Sequence, residues 1–153
     1  MLAWLKKRKP LLPQVVQDAV AQAIAASERM SSGEIRVFVE SHCSMVNPIH
    51  RCEEVFTQLK MHETKHRNGV LLYIAIKDRQ FAIVGDQGIH EKIGGQQYWR
   101  TIADQMKPFF AAHQFQEGIC YCIEAIGQEL ALHYPLDAND NPNELPDEIV
   151  FGK

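Results

Sequence analysis

R-N-G-V-L-L-Y-I-A-I-K-D-R-Q-F-A-I-V-G-D, residues 67–86, is the stretch that decides the fold. Asn68-Gly69 opens it, and Val70 to Ile76 is apolar at successive positions, so both faces of this strand must be covered. That is the habit of a central strand with helices on two sides. Lys77-Asp78-Arg79 makes a short turn into Gln80 to Val84, a second strand stopped by Gly85-Asp86. So short a connection permits only an antiparallel return.

Upstream, Val16, Ala19, Val20, Ala23 and Ile24 fall at helical spacing within Gln14 to Arg29, and Ser31-Ser32-Gly33 ends that helix. From Glu34 to Glu40, Ile35, Val37 and Val39 alternate with Arg36 and Glu40, a strand of period two. Asn47-Pro48 then opens a helix striped by Ile49, Cys52, Phe56 and Leu59. A helix between the first two strands makes them parallel, with a right-handed crossover. Downstream, one helix carries Trp99, Ile102, Met106 and Phe109 or Phe110, and Pro108 is expected to bend or end it. Another carries Phe115, Ile119, Cys122, Ile123, Ile126 and Leu130. Beyond Pro135 the chain is too polar to bury much and reads as an irregular tail, with Ile149-Val150-Phe151 docking back. The expectation is an α/β fold with a small mixed sheet, two parallel strands plus an antiparallel hairpin strand, flanked by about four helices. The domain spans 13–135, between an N-terminal tail at 1–12 and an acidic, polar tail at 136–153.

A chain of 153 residues fits one domain with a sizeable core. Its net charge of −3 argues against a dedicated nucleic-acid binder. The cluster Lys6-Lys7-Arg8-Lys9 could touch phosphate or anionic lipid, and otherwise is a solvated tail. Neither a signal-peptide pattern nor an apolar run of membrane-spanning length is present, so a cytoplasmic location is expected. Cys43, Cys52, Cys120 and Cys122 are therefore read as reduced and non-catalytic.

Three segments could carry chemistry. H-E-T-K-H at His62 to His66 matches the zinc-protease signature, in which two histidines four apart on a helix bind zinc and Glu63 acts as general base. Leu72 stands where a third histidine would follow, and a strand starts just after Asn68-Gly69, so solvated polar residues are the better reading and zinc is not expected. Asp137, Asn139, Asn141, Asn143 and Glu148 have calcium-loop spacing, but Pro142 replaces the glycine that makes the sharp turn, so a turn-rich tail is preferred. The topology also gathers Glu34, Asn68 and Asp86 at one sheet edge, with His90 and Glu91 close by. Carboxylates and backbone oxygens there would suit Ca²⁺ or Mg²⁺. Equally, Asp86 could simply cap the helix that follows. The usual rule for open α/β sheets points to the opposite edge, near Glu40, His42 and Asp78.

Several segments together carry a family resemblance: S-G-E-I-R-V-F-V-E at 32–40, R-N-G-V-L-L-Y-I-A at 67–75 and D-R-Q-F-A-I-V-G-D-Q-G-I-H-E-K at 78–92. With Tyr98-Trp99 and the F-x-x-G of Phe115 to Gly118, the chain resembles TPM domains from about Gln14 to Tyr134. The resemblance implies a Rossmann-like α/β/α sandwich, divalent-ion binding, a weak acid phosphatase activity in plant members, and accessory roles in membrane-protein upkeep. Many relatives have an aspartate where Arg67 stands, a glutamate near His90 or Glu91, and a further acidic residue at Gly94-Gly95. The expectation is thus a non-catalytic module that binds a protein partner, with a weak divalent-ion site at Asp86, Glu34, Asn68 and Glu91. The alternative is a metal-assisted phosphatase with Asp86 as its candidate catalytic carboxylate.

Overall fold

The computed structural model describes residues 10–136 and 145–152. Strands β1 (Glu34–Glu40), β2 (Gly69–Ala75), β3 (Gln80–Gly85) and β4 (Val150–Phe151) form one sheet in the order β3-β2-β1-β4. β1 and β2 run parallel, Glu34 opposite Gly69, and β3 returns antiparallel, Val70 opposite Gly85. All seven residues of β2 are buried, as its unbroken apolar run requires. The crossover helix α2 (Pro48–Gln58) is started by Asn47, whose side chain accepts from the Ile49 amide, with Pro48 at the first helical position.

Ile35, Val37, Val39, Val70, Leu72 and Ile74 face one side of the sheet. They are covered by α1 (Gln14–Glu28), α4 (Gln96–Asp104), α5 (Met106–Ala111) and α6 (Phe115–His133). Phe38, Leu71 and Tyr73 face the other side and pack on Cys52, Val55 and Phe56 of α2. The result is an α/β/α sandwich with the larger core on the four-helix side. α1 and α6 lie so close that a Cβ on Gly127 would sit 2.5 Å from Ser27 Oγ. All four cysteines are free, and Cys52 and Cys122 are fully buried.

Three details differ from expectation. Among the described residues there are six helical segments rather than about four, because the short α3 (Gln87–Lys92) and α5 are separate pieces. The chain breaks at Gln105, not at Pro108. Pro108 lies in the first turn of α5, where a missing N–H leaves no bond unmade. The sheet also has a fourth strand: β4 pairs parallel with β1, Phe38 opposite Val150 and Val39 opposite Phe151. Among the described residues no helix is long and apolar enough to cross a membrane. The basic cluster at Lys6 to Lys9 and the calcium-loop positions Asp137, Asn139, Asn141, Pro142 and Asn143 lie outside the described residues.

Candidate functional site

The starts of β1 and β2 and the end of β3 meet at one edge. There the Asp86 amide donates to the Gly69 carbonyl at 2.8 Å, which fixes Asp86 directly after β3. Arg67 immediately precedes Asn68 and β2, in the left-handed region at φ 51°. Its Nε donates to Asp86 Oδ2 at 2.7 Å and its Nη2 to Oδ1 at 2.9 Å, a bidentate fork. Asp86 Oδ1 also accepts from the Gln87 amide at 2.8 Å, so Asp86 is the N-cap of α3. Gly88 lets that helix approach: its amide donates to the Arg67 carbonyl, and a Cβ there would lie 2.5 Å from the His66 carbonyl oxygen.

The other expected ligands turn elsewhere. Asn68 is fully buried and its Nδ2 donates to Ser32 Oγ at 3.2 Å. Glu91 is exposed on α3 and accepts from Gln87. Glu34 is fully buried and meets Glu28. Among the described residues no three His, Cys, Asp or Glu side chains are grouped so as to hold a metal ion. The residues present therefore do not fit a divalent cation as they are arranged, since Arg67 already supplies the positive charge beside Asp86. Gly94 and Gly95 both take positive φ between α3 and α4, a conformation that favours glycine.

A cluster of carboxyls stands beside this edge. Glu28 closes α1 on the same stripe as Val16, Val20 and Ile24, and is 2% exposed. Its Oε2 accepts from the Ile35 amide at 3.3 Å, and the carboxyls of Glu34 and Asp147 stand close to it. Burial, then these neighbouring acids, push its carboxyl up to about 11. Glu28 is thus protonated at neutral pH, because carboxylates this close cannot all ionise. Sequence reasoning missed Glu28, although its i+4 spacing from Ile24 on a buried stripe was a usable signal.

At the opposite edge, Arg51 Nε and Nη2 bind Glu40 at 2.9 and 3.0 Å, and Arg51 also pairs with Glu54. The Tyr73 hydroxyl donates to Glu40 as well. Burial would raise the Glu40 carboxyl, but Arg51 and Tyr73 together hold it below the usual range. His42 Nδ1 lies 2.8 Å from Asp78, which also accepts from the Cys43 amide at 2.7 Å. These contacts are internally satisfied and tie β1 to α2 and to the β2–β3 turn.

The zinc-like segment does not lie on a helix. α2 ends at Gln58, and the residues from Leu59 to Arg67 form successive turns. The same-face argument for His62 and His66 therefore has no helix to rest on. His62 is exposed, whereas His66 lies 6.1 Å from the Tyr134 ring.

A mixed four-stranded sheet between one helix and a four-helix layer, with an Asp-capped edge, defines a small α/β sandwich class. Residues 7–129 match the TPM domain, and the chain belongs to that family. No curated protein matches the chain. Among solved structures, it is similar to the BA42 protein of the psychrophilic bacterium Bizionia argentinensis, with 36% identity and a TM-score of 0.83 over 95% of this chain and 99% of that one. The N-terminal domain of a P. gingivalis protein shares the fold at 20% identity, with a TM-score of 0.64 over 83% of each chain.

Proposed function

We propose that this chain is a non-catalytic TPM module that binds a protein partner, and that its Asp86 edge is held by an internal cation, Arg67. The bidentate Arg67–Asp86 fork is the observation that supports this reading. A carboxylate whose two oxygens are engaged by a guanidinium, and further by the Gln87 amide, is poorly placed to attack phosphorus or to activate water. Affinity for Ca²⁺ or Mg²⁺ at Asp86, Glu34, Asn68 and Glu91 is weak on this reading, because a cation must displace Arg67.

The test is hydrolysis of p-nitrophenyl phosphate by untagged protein, with and without millimolar Mg²⁺ or Ca²⁺. No turnover above buffer is expected. Turnover that disappears in Asp86→Asn, with folding intact by circular dichroism, would replace this reading with the phosphatase one.

A further inference from the structure

We propose that the outer edge of β1 is a strand-acceptor site, filled by the chain's own residues 145–152 and taken over by a matching extended segment of a partner protein. This rests on the interaction-module reading and names the chemistry of the partner. β4 lies beside β1 at one end of the order β3-β2-β1-β4, and only Phe38 and Val39 of the seven β1 residues face it. Successive side chains of the seated segment go to opposite faces. Ile149 packs on the core beneath the four helices, and Val150 on the core beneath α2. At the end of the seat the Gly152 amide donates to the Val39 carbonyl at 2.8 Å. A Cβ on Gly152 would lie 2.7 Å from Phe38 Cζ and 2.9 Å from Glu40 Oε1. Arg51 Nη2 holds that oxygen at 3.0 Å, so it cannot swing aside without losing the ion pair. The seat therefore selects glycine at this position.

The chain's own segment fits this seat imperfectly. Its ladder is two residues long, Val150 is half-buried, and Phe151 is 37% exposed. Segments with so few buried contacts open at a low cost in free energy. Asp147 also stands where a carboxylate is unfavourable. Its Oδ1 is buried without a hydrogen-bond partner among the described residues, and it lies beside Glu28, which already crowds against Glu34. A buried unpaired oxygen and crowded acids both oppose seating.

One residue further on, the sign of the preference reverses. Arg36 Nε of β1 is buried without an acceptor among the described residues, and Glu148 is the carboxylate whose charge reaches it. An acid is thus favoured at the second position and disfavoured at the first. A partner segment with asparagine at the first position brings an N–H donor to the Glu28 carboxyl and removes a charge, so it seats more tightly than the chain's own residues. The favoured segment is an amide, an acid, three apolar residues and a glycine, running parallel to β1. Main-chain bonds hold it, while Arg36, Phe38 and Glu40 read its side chains.

The test uses a fluorescein-labelled peptide copying residues 145–152 with Asp147→Asn, titrated by fluorescence anisotropy against the full chain at neutral pH and physiological salt. Saturable binding is expected at or below about millimolar peptide, the effective concentration of a tethered segment that it must displace. The peptide that keeps Asp147 should bind several-fold more weakly. Made in the protein instead, Asp147→Asn should act the other way, tightening the chain's own segment and lowering peptide affinity several-fold. Gly152→Ala in the peptide should abolish binding, and chemical-shift changes in the protein should centre on the Phe38 and Val39 amides. Absence of binding at millimolar peptide overturns the proposal, as does binding that tolerates Gly152→Ala or leaves the β1 amides unmoved. Peptide affinity unchanged by Asp147→Asn in the protein also overturns it, since the two segments then do not compete. Such a failure without phosphatase turnover leaves the non-catalytic reading standing, whereas Asp86-dependent turnover removes that reading whatever the peptide does.

Discussion

Glu28 shows how one buried acid sets a pH dependence. Its carboxyl is pushed up to about 11 when folded, against an ordinary value of 4.5, first by burial and then by Glu34 and Asp147. Stability from such a group is fully present below the unfolded value and is lost as pH rises toward the folded one, because the unfolded chain releases the proton first. Glu28→Gln keeps a neutral side chain able to accept from the Ile35 amide, and removes that loss. Its melting temperature should exceed the parent's by several degrees at about pH 8, where each kcal/mol is worth roughly 2–4 °C, and the difference should shrink toward about pH 5. An equal shift at both pH values would show that Glu28 is not the titrating group. Arg67 makes the complementary case: Arg67→Asn frees Asp86 Oδ2 and leaves Oδ1 only its bond from the Gln87 amide. Calcium affinity by titration calorimetry should then rise about tenfold, since the positive charge standing beside the carboxylate is removed. Unchanged affinity would mean that Arg67 does not control the site. The sequence displayed Arg67 and Asp86 as separate letters, and only the left-handed turn at Arg67 aims one at the other. Capping by Asp86 was legible from the glycine-rich turn; the pairing needed the tertiary structure.

At the scale of elements, α2 is fastened to β1 and β2 by one polar knot in an otherwise apolar layer. Glu40 accepts from both Arg51 and Tyr73, and Arg51 lies 5.7 Å over the Phe38 ring. Removing one member leaves a buried charge without its partner, which costs about 3–5 kcal/mol. Arg51→Met should lose that much in urea unfolding, with the slope unchanged, and adding Glu40→Gln should restore more than half because the uncompensated charge is gone. A loss below about 1 kcal/mol would place the pair among ordinary surface ion pairs. Element positions followed closely from local pattern: α1 starts at Gln14 as its apolar spacing indicated, and β3 runs one residue past Val84. The misjudged break near Pro108 has a local cause. Proline is disruptive inside a helix yet harmless in its first turn, and hydropathy does not register that a new helix begins at Met106.

Over the whole molecule, the parallel pair, hairpin and three-layer packing were readable because β2 is apolar on both faces and its connections leave few alternatives. The fourth strand was less readable, since two residues of Val150–Phe151 carry little periodicity of their own. Their contribution comes from what they close. β4 pairs with Phe38 and Val39, the Gly152 amide donates to the Val39 carbonyl at 2.8 Å, and Asp147 approaches Glu28 from the same segment. A chain ending at Glu144 would lose the bonds along β1 and the Asp147 contact together. The gain from relieving acid crowding should then oppose the loss of strand pairing, and the balance should depend on pH. At about pH 5, where the acids crowd least, the truncated chain should melt several degrees below the parent, because lost pairing dominates. Toward about pH 8 the gap should narrow, as removal of Asp147 eases the burden on Glu28. A gap that is constant across this range would separate β4 pairing from the carboxyl cluster. A gap that widens would reverse the sign assigned to Asp147.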